Sequence, residues 1–227
     1  MSNFQPIESH PWSVSLEEAK EIQRKLSRQV TLRDDFGDVK RVLGVGIVFS
    51  KDEGEVFVGC VSFSFPELRP LEAVREKQKI SFPYIPGFFA FSAGPAILSA
   101  IKKMERPDLI LFPGRGVEHP RRLGLASHLG LLLDLPTIAC SKTPLWRNYP
   151  EPSSKKGAHV LVKEEKGDFA GAVVRSREDV KPIFVSAGHR ISIQTAVKII
   201  LHCTPKYRMP EPLRQAQILA KRTAEEA

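Results

Sequence analysis

Cysteine is scarce in this chain of 227 residues: Cys60, Cys140 and Cys203 stand far apart and form no Cys-x-x-Cys pair. The odd count disfavours a disulfide framework and the spacing does not suit zinc, so each thiol is expected to act as a small core residue. Long apolar runs are missing too. None, Leu129 to Leu133 among them, approaches the roughly 20 residues that cross a bilayer. The N-terminal Met-Ser-Asn-Phe-Gln-Pro has neither the basic head nor the apolar centre of a secretion signal. No membrane partner is therefore expected, and a cytoplasmic location and a monomeric state are the defaults. There is no internal repeat and no low-complexity tract. Acidic residues are outnumbered, 26 against 34 basic ones, for a net charge of +8. That excess favours an anionic partner without requiring one.

What is present suits a globular fold. Hydrophobic residues make up 42% of the chain, enough for a sizeable core without disulfides or metal. The length fits a single domain over 1–227, with an N-terminal helical extension over 1–38, a core over 39–215 and a tail over 216–227. Ser15 can cap a helix that the spacing of Ile22, Leu26 and Val30 carries to about Leu32. Buried strands are expected at Arg41–Phe49 and Val56–Phe65, while Leu68–Ile80 fits a strand or a helix. Ser92 is expected to cap a helix over Ala93–Met104. Strands at Leu109–Phe112, Pro136–Cys140 and Pro182–Ala187, a hairpin of Ala158–Lys163 with Phe169–Val174 across a turn at 164–168, and a helix ending at Cys203 complete the pattern. After Pro210 a short helix is expected to dock and then fray. Strands in a meander, then strands alternating with helices, predict an α/β fold with a mixed sheet flanked by helices.

One stretch organises the chemistry: Phe112-Pro-Gly-Arg-Gly-Val-Glu-His-Pro-Arg-Arg-Leu-Gly124. Pro113, Gly114 and Gly116 force a tight loop after a buried strand, and Pro120 can open a helix from about Arg121. Such a turn can aim backbone N–H groups at a phosphate, with Arg115, His119, Arg121 and Arg122 adding side-chain donors. The plainer alternative is a tight strand-to-helix connection with a solvated basic edge.

These residues also carry a family likeness. Phe82-Pro-Tyr-Ile-Pro-Gly-Phe88, Gly116-Val-Glu-His-Pro-Arg-Arg-Leu-Gly-Leu-Ala-Ser-His-Leu-Gly130, Leu135-Pro-Thr-Ile138, Lys142, Gly188-His-Arg-Ile-Ser-Ile193 and Met209-Pro-Glu-Pro-Leu-Arg214 resemble endonuclease V, in the family's order. The resemblance implies a ribonuclease H-like fold and recognition of hypoxanthine in DNA or RNA, in a repair-related role. It also implies magnesium-dependent cleavage to the 3′ side of the lesion.

Carried over residue by residue, the resemblance implies a defect. The family's first-strand aspartate falls on Gly46, its helix-start glutamate on Ala93 and its central-strand aspartate on Pro113, while the histidine after that aspartate is Arg115. Glycine, alanine and proline offer magnesium no side-chain oxygen. No catalytic residue, no metal ligand and no cofactor are therefore expected, and magnesium enters only if non-standard ligands keep an active enzyme. A third possibility is a fold retained for protein-partner binding. If only ligands are lost, Gly46→Asp, Ala93→Glu and Pro113→Asp together are expected to recreate a metal site, with Arg115→His if its charge opposes the ion.

The binding apparatus implied by the resemblance remains. Tyr84, held between Pro83, Ile85, Pro86 and Gly87, matches the family's wedge, which stacks where a base has been extruded. Its plainer reading is a core tyrosine in a rigid loop. Gly114 and Gly116 would let backbone groups approach the flipped base, Arg115 would hold a phosphate beside the empty metal site without hydrolysing it, and the plainer reading of His119 is a structural histidine that fixes the loop and helix. Lys142, His189 and Arg190 match positions near the scissile phosphate, and Arg121 and Arg122 are candidate phosphate contacts.

Overall fold

Apolar residues occupy both parities of the central strands, so neither face can be wet and the sheet needs helices on both sides. The computed structural model, which describes residues 10–52, 54–144, 146, 148–163 and 169–227 (169 and 170 by backbone alone), has that arrangement. The elements run α1 (Leu16–Ser27), β1 (Arg41–Phe49), β2 (Glu55–Ser64), β3 (Pro70–Lys79), α2 (Phe89–Lys102), β4 (Leu109–Pro113), α3 (Leu125–Leu133), β5 (Thr137–Ser141), β6 (His159–Lys163), β7 (Phe169–Val174), β8 (Ile183–His189), α4 (Ile193–His202) and α5 (Glu211–Glu225). One mixed sheet has the order β3-β2-β1-β4-β5-β8-β7-β6. β4 is parallel to both β1 and β5, and the other pairings are antiparallel. The ambiguous segment is the edge strand β3, with Arg75, Lys77 and Lys79 exposed on one face and Glu72, Val74 and Glu76 half-buried on the other. The N-terminal segment and the 164–168 turn lie outside the described residues. Among the described residues no helix is long and apolar enough to cross a membrane.

Alternation along β1 sorts the two cores. Leu43, Val45 and Ile47 join Phe112 and residues of α2 and α3 in one cluster. Val42 joins Leu109, Leu111 and residues of α4 and α5 in the other. Register pairs Gly44 with Leu111, so Gly46 and Pro113, each two residues farther on, stand at one level on adjacent strands. The expected neighbourhood of the strands around Val45 and Leu111 is met.

Three helix boundaries differ from expectation. α1 has its Ser15 cap and a reciprocal bond from Ser15 N–H to Glu18 (2.7 Å), but it ends at Ser27. The chain then turns so that the Thr31 carbonyl accepts from Arg190 N–H (2.7 Å). α2 starts at Phe89 instead of Ala93, because the Ser92 hydroxyl donates to the Pro83 carbonyl (3.0 Å) and not to its own helix end. α3 starts at Leu125, not Arg121: Arg122 has φ +54°, a left-handed turn that no helix accommodates.

The tail is the largest correction. α5 does not fray after a short turn; it runs to Glu225 and lies across β1 and β2 with Leu213, Ala216 and Ala220 buried. Gly46 and Gly59 are direct cross-strand partners and form the floor beneath it. A Cβ added at Gly46 would stand 2.2 Å from the Ala216 backbone carbon and oxygen, and one at Gly59 2.5 Å from the same oxygen. Only glycine permits so close an approach of helix to strand. The Gln217 side chain completes the contact, donating to the Ile47 carbonyl and accepting from the Ile47 N–H, both at 3.2 Å.

Candidate nucleic-acid interface

The loop after β4 spends its backbone donors internally. Gly114 N–H donates to the Cys140 carbonyl (3.2 Å), Val117 N–H to Ala187 (3.0 Å), and Gly124 N–H to Gly116 (2.9 Å). Ala126 N–H caps onto the Arg115 carbonyl (3.1 Å), and Gly116 N–H donates to the Glu118 carboxylate (2.8 Å). The expected backbone cradle for a phosphate is therefore not formed by these groups. Gly116 is required for packing, since a Cβ there would meet the Ala187 carbonyl at 2.2 Å. Gly114 has φ +95° and open space beside it.

Two cavities meet at Pro113–Gly114. The first, about 340 Å³, lies under the tyrosine loop and is walled by Tyr84, Gly87, Phe89, Arg115, His119 and Leu123 among others. Tyr84 is 40% exposed, its ring 5.1 Å from Phe49 and 5.9 Å from Phe89, so it is a surface aromatic and not a core one. Pro83 and Pro86 are exposed, and Ile85 packs against the cluster of Phe82, Phe88 and Phe91. His119 is buried. Its Nδ1 accepts from Arg121 N–H (3.2 Å), while its Nε2 sits beside the Gly87 backbone without meeting it in hydrogen-bond geometry. Burial, then the charges of Arg121 and Arg115, lower its pKa to about 4, so the imidazole is neutral at pH 7.

Arg121 does not reach toward a ligand. Its Nε donates to Gln23 (2.5 Å), its Nη2 to the Gly87 carbonyl (2.9 Å), and its guanidinium lies 4.2 Å over Phe88. Gln23, buried on α1, also donates to the Gly87 carbonyl (3.0 Å). This knot ties α1, the tyrosine loop and the arginine loop together, and Gln23 was not singled out from sequence. Arg122, in its left-handed turn, is partly buried.

The second cavity, about 400 Å³, lies on the α5 side of Pro113 and is walled by Val45, Cys140, Ser141, Lys142, Arg214, Gln217 and Lys221 among others. The sequence pointed to Lys142 and, within the Met209–Arg214 match, to Arg214, but not to Gln217 or Lys221 of α5. Their signal was the spacing of Leu213, Ala216 and Ala220, a narrow buried stripe that small side chains made easy to overlook.

His189 and Arg190 are elsewhere. β5 pairs Cys140 with Val185 and with Pro113, but its other end, Thr137, with His189. Three residues of strand, roughly 10 Å, separate the two ends. His189 Nδ1 accepts from Thr31 N–H (3.2 Å), and Arg190 binds Asp134 (2.8 Å) and the Asp35 carbonyl (2.7 Å). Burial lowers the His189 pKa, against the opposing pull of Asp134. Both residues fasten the segment after α1 and do not join the cavities. Ala93 is fully buried in the α2-side core, in one cluster with Val45, Ile47 and Phe112, and lines neither cavity.

A sequence model of endonuclease V matches residues 24–218. The chain belongs to the endonuclease V family. It is 44% identical over 223 residues to endonuclease V of Trichormus variabilis, covering 97% of this chain and 99% of that one. Among solved structures, endonuclease V of Streptomyces avermitilis is 36% identical with a TM-score of 0.89, covering 95% of each chain. Endonuclease V of Ciona intestinalis, solved with DNA containing an inosine followed by a ribo-adenosine, is 30% identical with a TM-score of 0.81, covering 94% of this chain and 99% of that one. The mixed sheet and its helices are thus the ribonuclease H-like arrangement of this family.

Magnesium, which the family resemblance implied, takes oxygen ligands that usually include carboxylates. The walls of both cavities hold none, and the second presents Lys142, Arg214 and Lys221. Among the described residues, no group of three or more His, Cys, Asp or Glu side chains is placed to hold a metal. Glu118 lines neither cavity; burial raises its pKa and its Oε2 is taken by Gly116 N–H. The donor set does not fit magnesium.

Proposed function

We propose that this chain is a catalytically defective endonuclease V that binds nucleic acid, DNA or RNA, and takes an extruded hypoxanthine base into the cavity beneath Tyr84, as a reader in a repair-related role. The observation that carries the reading is the wall chemistry. Two adjoining cavities offer an exposed aromatic, apolar surface, a neutral histidine and several cations, but no carboxylate. Tyr84 is positioned to stack in the gap left by the base, which a protein reading a single base must take out of the duplex. Neutral His119, whose Nδ1 accepts from Arg121 N–H, keeps its hydrogen on Nε2 and has that donor available for an acceptor on a purine edge. The inosine-containing DNA bound by the Ciona relative supports the choice of base.

The test is an inosine oligonucleotide, as DNA and as RNA, incubated with magnesium and with manganese. Binding without cleavage is expected. Cleavage at the rate of an ordinary metal nuclease would restore the reading of an active enzyme with non-standard ligands. Absence of binding at low salt would favour a fold kept for a protein partner.

A further inference from the structure

The tyrosine loop is held at its two ends. The first hangs from α2, where the Ser92 hydroxyl donates to the Pro83 carbonyl (3.0 Å). The second is a tight turn, Ile85-Pro86-Gly87-Phe88, closed by a bond from Phe88 N–H to the Ile85 carbonyl (2.9 Å). Proline in its second place and glycine at φ +86° in its third are the signature of a type II turn. Tyr84 stands exposed between the two ends. The Gly87 carbonyl is where α1 grips the turn. It accepts from Gln23 Nε2 (3.0 Å) and from Arg121 Nη2 (2.9 Å), so both of its lone pairs are used. The Gln23 amide can lie only one way. Its Oε1 takes the Arg121 Nε–H (2.5 Å), and its Nε2 divides two hydrogens between Gly87 and the Leu123 carbonyl (3.4 Å). Gln23 is 1% exposed and lines the cavity beneath Tyr84, yet its donors are spent on the wall and not turned toward an occupant. A buried polar network of this kind adds little net stability over an apolar side chain of the same shape, but fully satisfied it fixes one geometry.

We infer that Gln23 is a positioning residue for base reading: it holds the Gly87 carbonyl, directly and by aiming Arg121 at it, so that the turn presents Tyr84 in one place over the cavity. The inference rests on the base-reading proposal above and deepens it by bringing helix α1 into the site. A loop already held in its binding form has less ordering left to do when the nucleic acid arrives, which strengthens binding. The effect reaches the base through Gly87 and Tyr84, since the Gln23 amide itself has no free donor.

The experiment uses the full chain, with Gln23→Met, Gln23→Glu, Tyr84→Ala and the Gln23→Met, Tyr84→Ala double variant. Methionine keeps the length of the side chain and removes all its hydrogen bonds, whereas glutamate keeps an acceptor for Arg121 and removes both donors. Ile200→Val, in the α4-side core and lining neither cavity, is the control for lost stability alone. Affinities for an inosine oligonucleotide and for the same strand with adenosine are compared at a temperature where each protein is folded. Amide hydrogen exchange at Phe88 is followed without ligand. Gln23→Met should bind inosine about tenfold more weakly with adenosine little changed, and its Phe88 amide should exchange about tenfold faster. Once Tyr84 is alanine, the same substitution should cost less than about twofold, because the ring it places is gone. Gln23→Glu should change in the same direction, and it replaces Gln23→Met if that protein does not fold. Ile200→Val should keep the wild-type ratio of inosine to adenosine affinity.

A folded Gln23 variant that keeps the wild-type ratio overturns the inference and leaves the base-reading proposal standing, whatever its exchange at Phe88. A lost ratio with unchanged exchange at Phe88 overturns it too, because the turn is then not the route. So does an equal loss with and without Tyr84, which would make Gln23 a general support of the fold. Wild type that shows no preference for inosine overturns the base-reading proposal, and the positioning role falls with it.

Discussion

Replacing Gly46 by alanine tests the seating of α5 directly. The new methyl carbon would stand 2.2 Å from the Ala216 carbonyl carbon and oxygen and 2.4 Å from Gln217 N. All three atoms are backbone, so no rotamer change relieves the clash and the helix must retreat by about an ångström. Overpacking of this kind costs about 1–3 kcal/mol, and the rigid neighbour places it at the upper end. Retreat also strains both Gln217 bonds to Ile47, which contribute about 1 kcal/mol each. A loss of about 3–4 kcal/mol is a large part of the 5–15 kcal/mol typical of a domain and lowers Tm by roughly 10 °C. Calorimetric unfolding reads this, with Gly37→Ala as the control because nothing lies within 4 Å of a Cβ there. A Gly46→Ala protein melting within about 2 °C of wild type would refute the seating of α5. The same geometry revises the restoration expected from sequence. Gly46→Asp, even with Ala93→Glu and Pro113→Asp, should displace α5 before it supplies a ligand, so calorimetry should find no divalent-metal binding.

Three further outcomes are expected. Tyr84→Ala should weaken binding of the inosine oligonucleotide by about 1–3 kcal/mol in anisotropy titrations, with little change in Tm because the ring is already exposed; unchanged affinity would remove the wedge role. Arg121→Ala should lower stability by about 2 kcal/mol and leave the salt slope of binding unchanged, because its guanidinium holds Gln23 and Gly87; a flatter slope with wild-type stability would make it a phosphate contact after all. His119 takes a proton below about pH 6.5 when unfolded but only below about 4 when folded, so stability is level above 6.5 and falls as pH drops toward 4. That contributes about 2 kcal/mol of loss between pH 7 and 5 in urea titrations, and His119→Gln should lose less over that interval by about the same amount. An unchanged acid limb would show that His119 is not held neutral.

The central strands were legible because burial on both faces makes them nearly continuous apolar runs, as in Leu43–Ile47 and Leu109–Phe112. The location of Tyr84 was legible because two prolines leave a loop little choice. The fate of the glycine loop was not. Its composition says that N–H groups exist but not that carbonyls from Ala187 and Cys140 will accept two of them. His189 and Arg190 follow a strand in the sequence, which does not say at which end of the sheet they emerge. Register with Thr137 decides that, and it puts them beside Thr31 and Asp134.

α5 was the least legible element, and it changes the meaning of Gly46. Read from the family resemblance alone, Gly46 stands where the family has an aspartate, which a substitution could supply. In the fold it is one half of a cross-strand glycine pair on which Ala216 and Ala220 rest, a relation spanning about 170 residues that no local pattern announces. The second position is packed as well. Beside fully buried Ala93, Gly94 admits Trp12, whose ring would be 2.7 Å from any Cβ placed there. Trp12 in turn stacks on His128, which shares a 2.7 Å contact with His10. At Gly46 the space for a side chain is filled by helix backbone, and beside Ala93 an indole packs on Gly94. Glycine and alanine there are requirements of the present packing as much as absences of ligand. Placing an acid at Gly46 therefore needs α5 to move as well.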